Sequence, residues 1–212
     1  MTAEQRPSGE AADERVFASY GARAEEYVSA VGRMEHVDQA DLDCVLRWAR
    51  GIAGRVLDVG SGPGQWTDWL SQRGVRVEGV EPVPEFVALA EASYPESSFR
   101  LGRGESLNEA DGAIGGVLAW YSLIHMPPAD IDRALVEFAR VIRPGGGLLL
   151  GFFTATEPGR FEHAIAPAYF WPVEQLAARV EAAGFAVRET ETRQGRPDRA
   201  HGSISAIRSR IE

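Results

Sequence analysis

The chain has 212 residues, 44% of them apolar, which is enough for one α/β domain with a sizeable core. Its formal net charge of -9 argues against wrapping a polyanion, because nucleic-acid binding depends on clustered Lys and Arg to displace counterions. A single cysteine, Cys44, excludes an internal disulfide and a Cys-based zinc cluster, so no metal is expected. No apolar run approaches bilayer length, and the polar start from Met1 to Glu14 does not read as a signal peptide, so a cytoplasmic protein without membrane or nucleic-acid partners is expected.

Residues 1–12 are rich in Glu, Pro, Ser and Gly with little to bury and read as a mobile tail. Residues 13–54 read as N-terminal helices. In the first, from about Asp13 to Val31, Val16, Tyr20 and Tyr27 fall on one side. In the second, Asp38 suits an N-cap, Leu42, Val45, Leu46 and Ala49 form the apolar stripe, and Gly51 or Gly54 ends it. From Arg55 strands and helices alternate through residues 55–212: strands at Val56–Val59, Val75–Val80, Ser98–Leu101, Gly116–Tyr121 and Gly147–Phe153, with helices at Gln65–Arg73, Pro84–Ser93 and Asp130–Ile142. That rhythm requires right-handed parallel crossovers and a doubly wound sheet. After a helix at Val173–Ala183, the strands Phe185–Thr192 and His201–Arg208 are joined only by Arg193 to Ala200, too short for a crossover. They must pair as an antiparallel hairpin, with Gly195 and Pro197 as turn formers.

The run Val56-Leu57-Asp58-Val59-Gly60-Ser61-Gly62-Pro63-Gly64-Gln65-Trp66 carries the chemistry. Glycines at alternate positions let the chain turn sharply at the carboxyl end of the first strand and let backbone approach a ligand, with a helix starting at once. A dinucleotide fingerprint needs G-x-G-x-x-G with spare amides for a pyrophosphate, and here the third glycine comes one residue early. Asp58, just before the turn, would repel a phosphate and welcome an ammonium. Glu81, at the end of the second strand, suits both hydroxyls of a ribose. The ligand implied is a ribose-bearing amine without phosphate.

These features resemble the class I S-adenosylmethionine-dependent methyltransferases, specifically the small bacterial branch grouped with trans-aconitate and ubiquinone-pathway enzymes. The likeness rests on Asp58 to Gly64, Glu81 followed by Pro82, the segment Trp120-Tyr121-Ser122-Leu123-Ile124-His125, and Arg143-Pro144-Gly145-Gly146-Gly147. It implies a Rossmann-like seven-stranded sheet of order 3-2-1-4-5-7-6 with strand seven antiparallel, helices on both faces and an N-terminal helical lid. It implies S-adenosyl-L-methionine as cofactor and S-adenosyl-L-homocysteine as product. Tyr20, Ala24 and Tyr27, with Arg23 beside them, match a family pattern that forms the lid, with core packing as the bland alternative. The cofactor contacts implied are Tyr20, Arg23, Tyr27, Asp58, Gly60, Ser61, Gly62, Gly64, Trp66, Glu81, Pro82, Trp120 and Tyr121. Where relatives place an Asp for the adenine amine, this chain has Gly104-Glu105-Ser106, so either Glu105 or the backbone there would hold the base.

Methyl transfer chiefly requires an aligned acceptor and exclusion of water. His125 is the candidate base for a hydroxyl acceptor, against a purely structural role. His163 reads as a solvated loop residue. The long loop from Thr154 to Trp171 reads as a specificity element, with Phe161, Tyr169, Phe170 and Trp171 walling an acceptor pocket or packing on the N-terminal helices. The expected function is methylation of a small-molecule acceptor, on oxygen or nitrogen, by a monomer or homodimer. A non-catalytic cofactor-binding protein and a dinucleotide-dependent oxidoreductase are the rival readings.

Overall fold

The computed structural model describes residues 9–31, 34–194 and 199–210. Two helices open the chain, α1 (Gly9–Ala22) and α2 (Ala24–Val31), where one was expected from Asp13. The helix therefore begins four residues earlier, inside the expected tail, of which residues 1–8 lie outside the described residues. The break at Arg23 follows Gly21, a weak helix former whose missing side chain lets α1 approach Glu85 closely: a Cβ there would lie 2.7 Å from its carboxylate. A 3-10 turn (Met34–His36) leads to α3 (Gln39–Arg50), where the Asp38 side chain accepts a hydrogen bond from the Ala40 amide at 2.9 Å and Gly51 closes the other end.

The alternation then runs β1 (Val56–Val59), α4 (Gln65–Ser71), β2 (Val77–Glu81), α5 (Pro84–Ser93), β3 (Ser98–Leu101), β4 (Ile114–Trp120), α6 (Ile131–Val141) and β5 (Ile142–Thr154). The segment from Thr154 to Trp171 was expected to be a loop; it contains a two-stranded antiparallel ladder, β6 (Gly159–Phe161) with β7 (Ala168–Phe170). α7 (Val173–Ala182), β8 (Phe185–Gln194) and β9 (Ala200–Arg208) complete the chain. The expected turn formers Gly195 and Pro197 lie outside the described residues.

The large sheet has seven strands in the order β3-β2-β1-β4-β5-β9-β8. Since β6 and β7 form a ladder of their own, the strands of the large sheet, counted alone, run 3-2-1-4-5-7-6. β1 to β5 pair in parallel; β9 is antiparallel to both β5 and β8. Successive strand residues point to opposite faces, which splits the core in two. Leu57, Val117 and Leu148 pack with Ile131, Leu135 and Phe138 of α6, while Val56, Leu118 and Leu149 pack with Val45 and Trp48 of α3 and Trp66 and Leu70 of α4. A third cluster joins Phe17, Tyr20, Ala24 and Tyr27 of α1 and α2 to Val83 and Phe86, so these two helices sit over the carboxyl end of β2. Among the described residues no helix is long and apolar enough to cross a membrane.

Candidate functional site

The turn after β1 is held by positive-φ glycines. Gly60 has φ 71° and donates its amide to Val80 at 2.7 Å; a Cβ there would lie 2.3 Å from Ser122 Cβ, so only glycine lets β1 run beside the segment after β4. Gly62 has φ 55° and nothing within 4 Å of a Cβ position, because it faces a cavity. Its amide donates to Glu81 Oε2 at 2.8 Å, and the Val83 amide donates to Oε1 at 3.0 Å. Burial pushes the Glu81 carboxyl up to about 7, against the pull of those two amides.

The cavity encloses about 140 Å³. Of the residues singled out from the sequence, it brings together Tyr20, Tyr27, Gly60, Gly62, Glu81, Pro82, Gly104, Glu105, Trp120, Tyr121 and His125. Val16, Phe17, Val59, Val83, Phe86, Arg103, Ser122, Leu123 and Met126 also line it and had not been singled out as site residues. Ser122 and Leu123 lie inside the quoted Trp120 to His125 segment and Met126 follows it, and Val16 lay in the α1 stripe; Phe17 and Arg103 carried no sequence signal of a site.

Several expected contacts lie elsewhere. Asp58 does not face the cavity: its Oδ2 accepts from Thr67 Oγ1 at 2.7 Å, tying β1 to the first turn of α4, and burial raises its carboxyl to about 6. Gly64 caps α4 against Phe99, Trp66 is buried among Leu70, Leu118 and Leu149, and Ser61 and Ser106 do not reach the lining. Arg23 turns outward, bonding Glu26 and the Ala164 carbonyl. None of Phe161, Tyr169, Phe170 and Trp171 lines the cavity. Phe161 and Phe170 stack on each other at 4.1 Å across the β6–β7 ladder, the Tyr169 amide donates to the Ile124 carbonyl, and Trp171 is buried in the core with Leu176. Phe161, Phe170 and Trp171 are thus taken up in packing within the hairpin and the core.

His163 is not a solvated loop residue. Its ring packs 5.2 Å from that of His125 and 6.4 Å from that of Phe153, and burial depresses it to about 4. His125 itself is placed by β7's approach: its Nδ1 lies 2.9 Å from the Pro167 carbonyl and its Nε2 2.6 Å from the Tyr20 hydroxyl, and burial lowers its pKa. Tyr121 is the one non-glycine residue at positive φ (58°) among those described, and its hydroxyl bonds His201 Nδ1. Backbone held in that region is costly and is found where surrounding packing over-determines it, here by Trp120, Phe153 and His201.

The donor set suits a ribose-bearing ligand. Glu81 keeps unused lone pairs on both oxygens beside open space at Gly62, and Ser122 Oγ, on the lining, is buried without a partner among the described residues. Among the described residues no cluster of three or more His, Cys, Asp or Glu could hold a metal ion.

Residues 56–146 match the family model described as a methyltransferase domain. An uncharacterized methyltransferase of Mycobacterium tuberculosis is 36% identical over 130 residues, covering 61% of this chain and 52% of that protein, and one of Synechocystis is 32% identical over 92 residues, 43% of each. The chain thus spans about half the length or less of these curated relatives. Among solved structures, Burkholderia thailandensis 1,6-didemethyltoxoflavin-N1-methyltransferase, with bound 1,6-didemethyltoxoflavin and S-adenosylhomocysteine, aligns with a TM-score of 0.77 at 20% identity over 99% of this chain and 94% of that one. The magnesium protoporphyrin IX methyltransferase of Synechocystis, with bound S-adenosylmethionine, aligns at 0.73 and 19% identity over 98% and 100%. The cyclase SpnF aligns equally well, at 0.78 and 19% over 98% and 99%, so this fold by itself does not fix a reaction.

Proposed function

From the match of residues 56–146 to the methyltransferase-domain model, we propose that the protein binds S-adenosylmethionine across the carboxyl ends of β1 and β2 and transfers its methyl group to a small-molecule acceptor, on oxygen or nitrogen. The observation that carries the reading is Glu81 bonded to the Gly62 amide. In a dinucleotide site the amides of this turn face a pyrophosphate; here one is taken by a buried carboxylate, which would repel phosphate and accept from ribose hydroxyls.

When bound, S-adenosylmethionine supplies a methyl group already activated on a positively charged sulfur. The chain's own residues then have three tasks. Glu81 accepts from the ribose, with its two amide bonds holding the carboxylate in place. Gly104 and Glu105 lie on the lining after β3, where the adenine edge belongs. Val16, Phe17, Tyr20 and Tyr27 cover the cavity from the N-terminal helices and keep water from the reacting atoms. The 1,6-didemethyltoxoflavin bound in the structurally similar N1-methyltransferase supports a small-molecule acceptor. Isothermal titration with S-adenosylhomocysteine and with NAD tests the reading: binding of the first and not the second is expected, and the reverse would overturn it. Release of S-adenosylhomocysteine with a panel of acceptors then separates an enzyme from a protein that only binds the donor.

A further inference from the structure

The acceptor's reacting group is addressed by the one polar pair in an apolar part of the lining. Tyr20 shares its helix face with Val16 and Phe17, and His125 adjoins Leu123 and Met126, all on the cavity. The Pro167 carbonyl can only accept, so His125 Nδ1, 2.9 Å away, carries the ring proton. Nε2 is therefore the bare nitrogen, and the Tyr20 hydroxyl 2.6 Å from it must be the donor. The basic atom of His125 is covered by Tyr20, and the acceptor lone pairs turned to the cavity are those of the phenolic oxygen.

Resting on the methyl-transfer reading above, we propose that Tyr20 and His125 form a proton relay, and that the acceptor is an apolar phenol or enol. The acceptor O–H gives its proton to Tyr20 Oη while Tyr20 gives its own to His125 Nε2. The electron pair left on the acceptor oxygen forms the new carbon–oxygen bond as the methyl leaves the sulfonium donor, whose carbon–sulfur pair stays on sulfur. His125, now an imidazolium, returns its proton to Tyr20 or to water as the products leave.

The chemistry selects the acceptor class. A neutral amine attacks with a free lone pair and needs no base beforehand, and a carboxylic acid, with a pKa of about 4, is already ionised. An aliphatic alcohol is a far weaker acid, so the same base makes it a poorer nucleophile towards the sulfonium methyl than it makes a phenol. A phenol, with a pKa of about 10, still holds its proton at neutral pH yet lies within reach of general-base catalysis. Burial keeps Tyr20 protonated and His125 neutral, the starting state such a relay needs. Because Tyr20 belongs to α1, the relay exists only where that helix is docked on Phe86.

Two measurements test it. Nitrogen-15 NMR of the protein without ligands is expected to show His125 protonated on Nδ1, with Nε2 shifting in Tyr20→Phe; an Nε2-protonated ring would overturn the relay. Turnover is then compared across phenol, 4-nitrophenol, aniline and cyclohexanol in mildly alkaline buffer, where 4-nitrophenol is largely ionised and has no proton to hand over. Methylation of the phenols alone is expected, and Tyr20→Phe should lose at least about tenfold more rate with phenol than with 4-nitrophenol. Equal losses would sink the relay. Methylation of aniline instead, or of none of the four, would overturn the acceptor class while bound S-adenosylhomocysteine leaves the methyl-transfer reading standing; loss of that binding would remove the reading itself.

Discussion

Glu81 and Gly62 act as a unit, the carboxylate fixed by the amide and the amide's residue kept bare on the cavity side. Hydrogen bonds to a charged acceptor contribute about 1.5–3 kcal/mol each, so Glu81→Ala should weaken S-adenosylhomocysteine binding by more than about tenfold in titration calorimetry. Ribose hydroxyls bond the ionised form, and burial holds this carboxyl near about 7, so donor affinity should rise as pH climbs through neutrality and level off above it. The two neighbouring glycines should separate binding from folding. Gly62→Val adds its side chain to open cavity space at φ 55° and should abolish donor binding with a modest loss of melting temperature. Gly60→Val drives a Cβ to within 2.3 Å of Ser122 Cβ and should instead be chiefly destabilising, seen as a much larger fall in melting temperature.

Helix α3 is seated on the sheet through glycine. Gly147 of β5 lies under Trp48 and Ile52, and a Cβ there would approach Ile52 Cδ1 to 2.4 Å, so Gly147→Ala should cost about 1–3 kcal/mol in urea denaturation by lifting α3. The existence of this helix was legible from Asp38 and its stripe, and so were the βα alternation and the terminal hairpin, because each depends on local periodicity and on the length of a connection. The break between α1 and α2 was not legible: nothing at Arg23 forbids a helix, and the interruption accompanies the close seat of Gly21 against Glu85, far along the chain. Nor was the β6–β7 ladder, whose three-residue strands are too short to show an alternation and are held by the Phe161–Phe170 stack and the Tyr169 to Ile124 hydrogen bond.

Across the whole molecule the buried acids set a pH dependence of stability. Asp58 and Glu81 are raised by burial to about 6 and about 7, so the folded state holds their protons more tightly than the unfolded chain does. Their favourable contribution is complete below the unfolded carboxyl range near about 4 and is lost as pH rises through their folded values. Without ligand, melting temperature should fall by several degrees between pH about 5 and about 8, at about 2–4 °C per kcal/mol for a chain of this size. Asp58→Asn with Glu81→Gln should flatten that slope; an unchanged slope in calorimetry would show the two acids are not its source. On the opposite side of the ledger, Arg55, Glu78, Arg100 and Glu109 close a ring of ion pairs at 2.6–3.3 Å beside β1, β2 and β3, where no helix intervenes between β3 and β4. What the sequence by itself determined was the order of elements, the glycine turn and the strand-end acid, since strand and helix periods, turn chemistry and connection length act over a few residues. Only the tertiary structure decided which side chains share the cavity. It turned Asp58 inward to Thr67 and left Glu81 on the cavity lining, stacked Phe161 on Phe170, and brought Tyr20 to His125 across 105 residues. Those outcomes follow from strand register and from where helices cross the sheet edge, which no local pattern encodes.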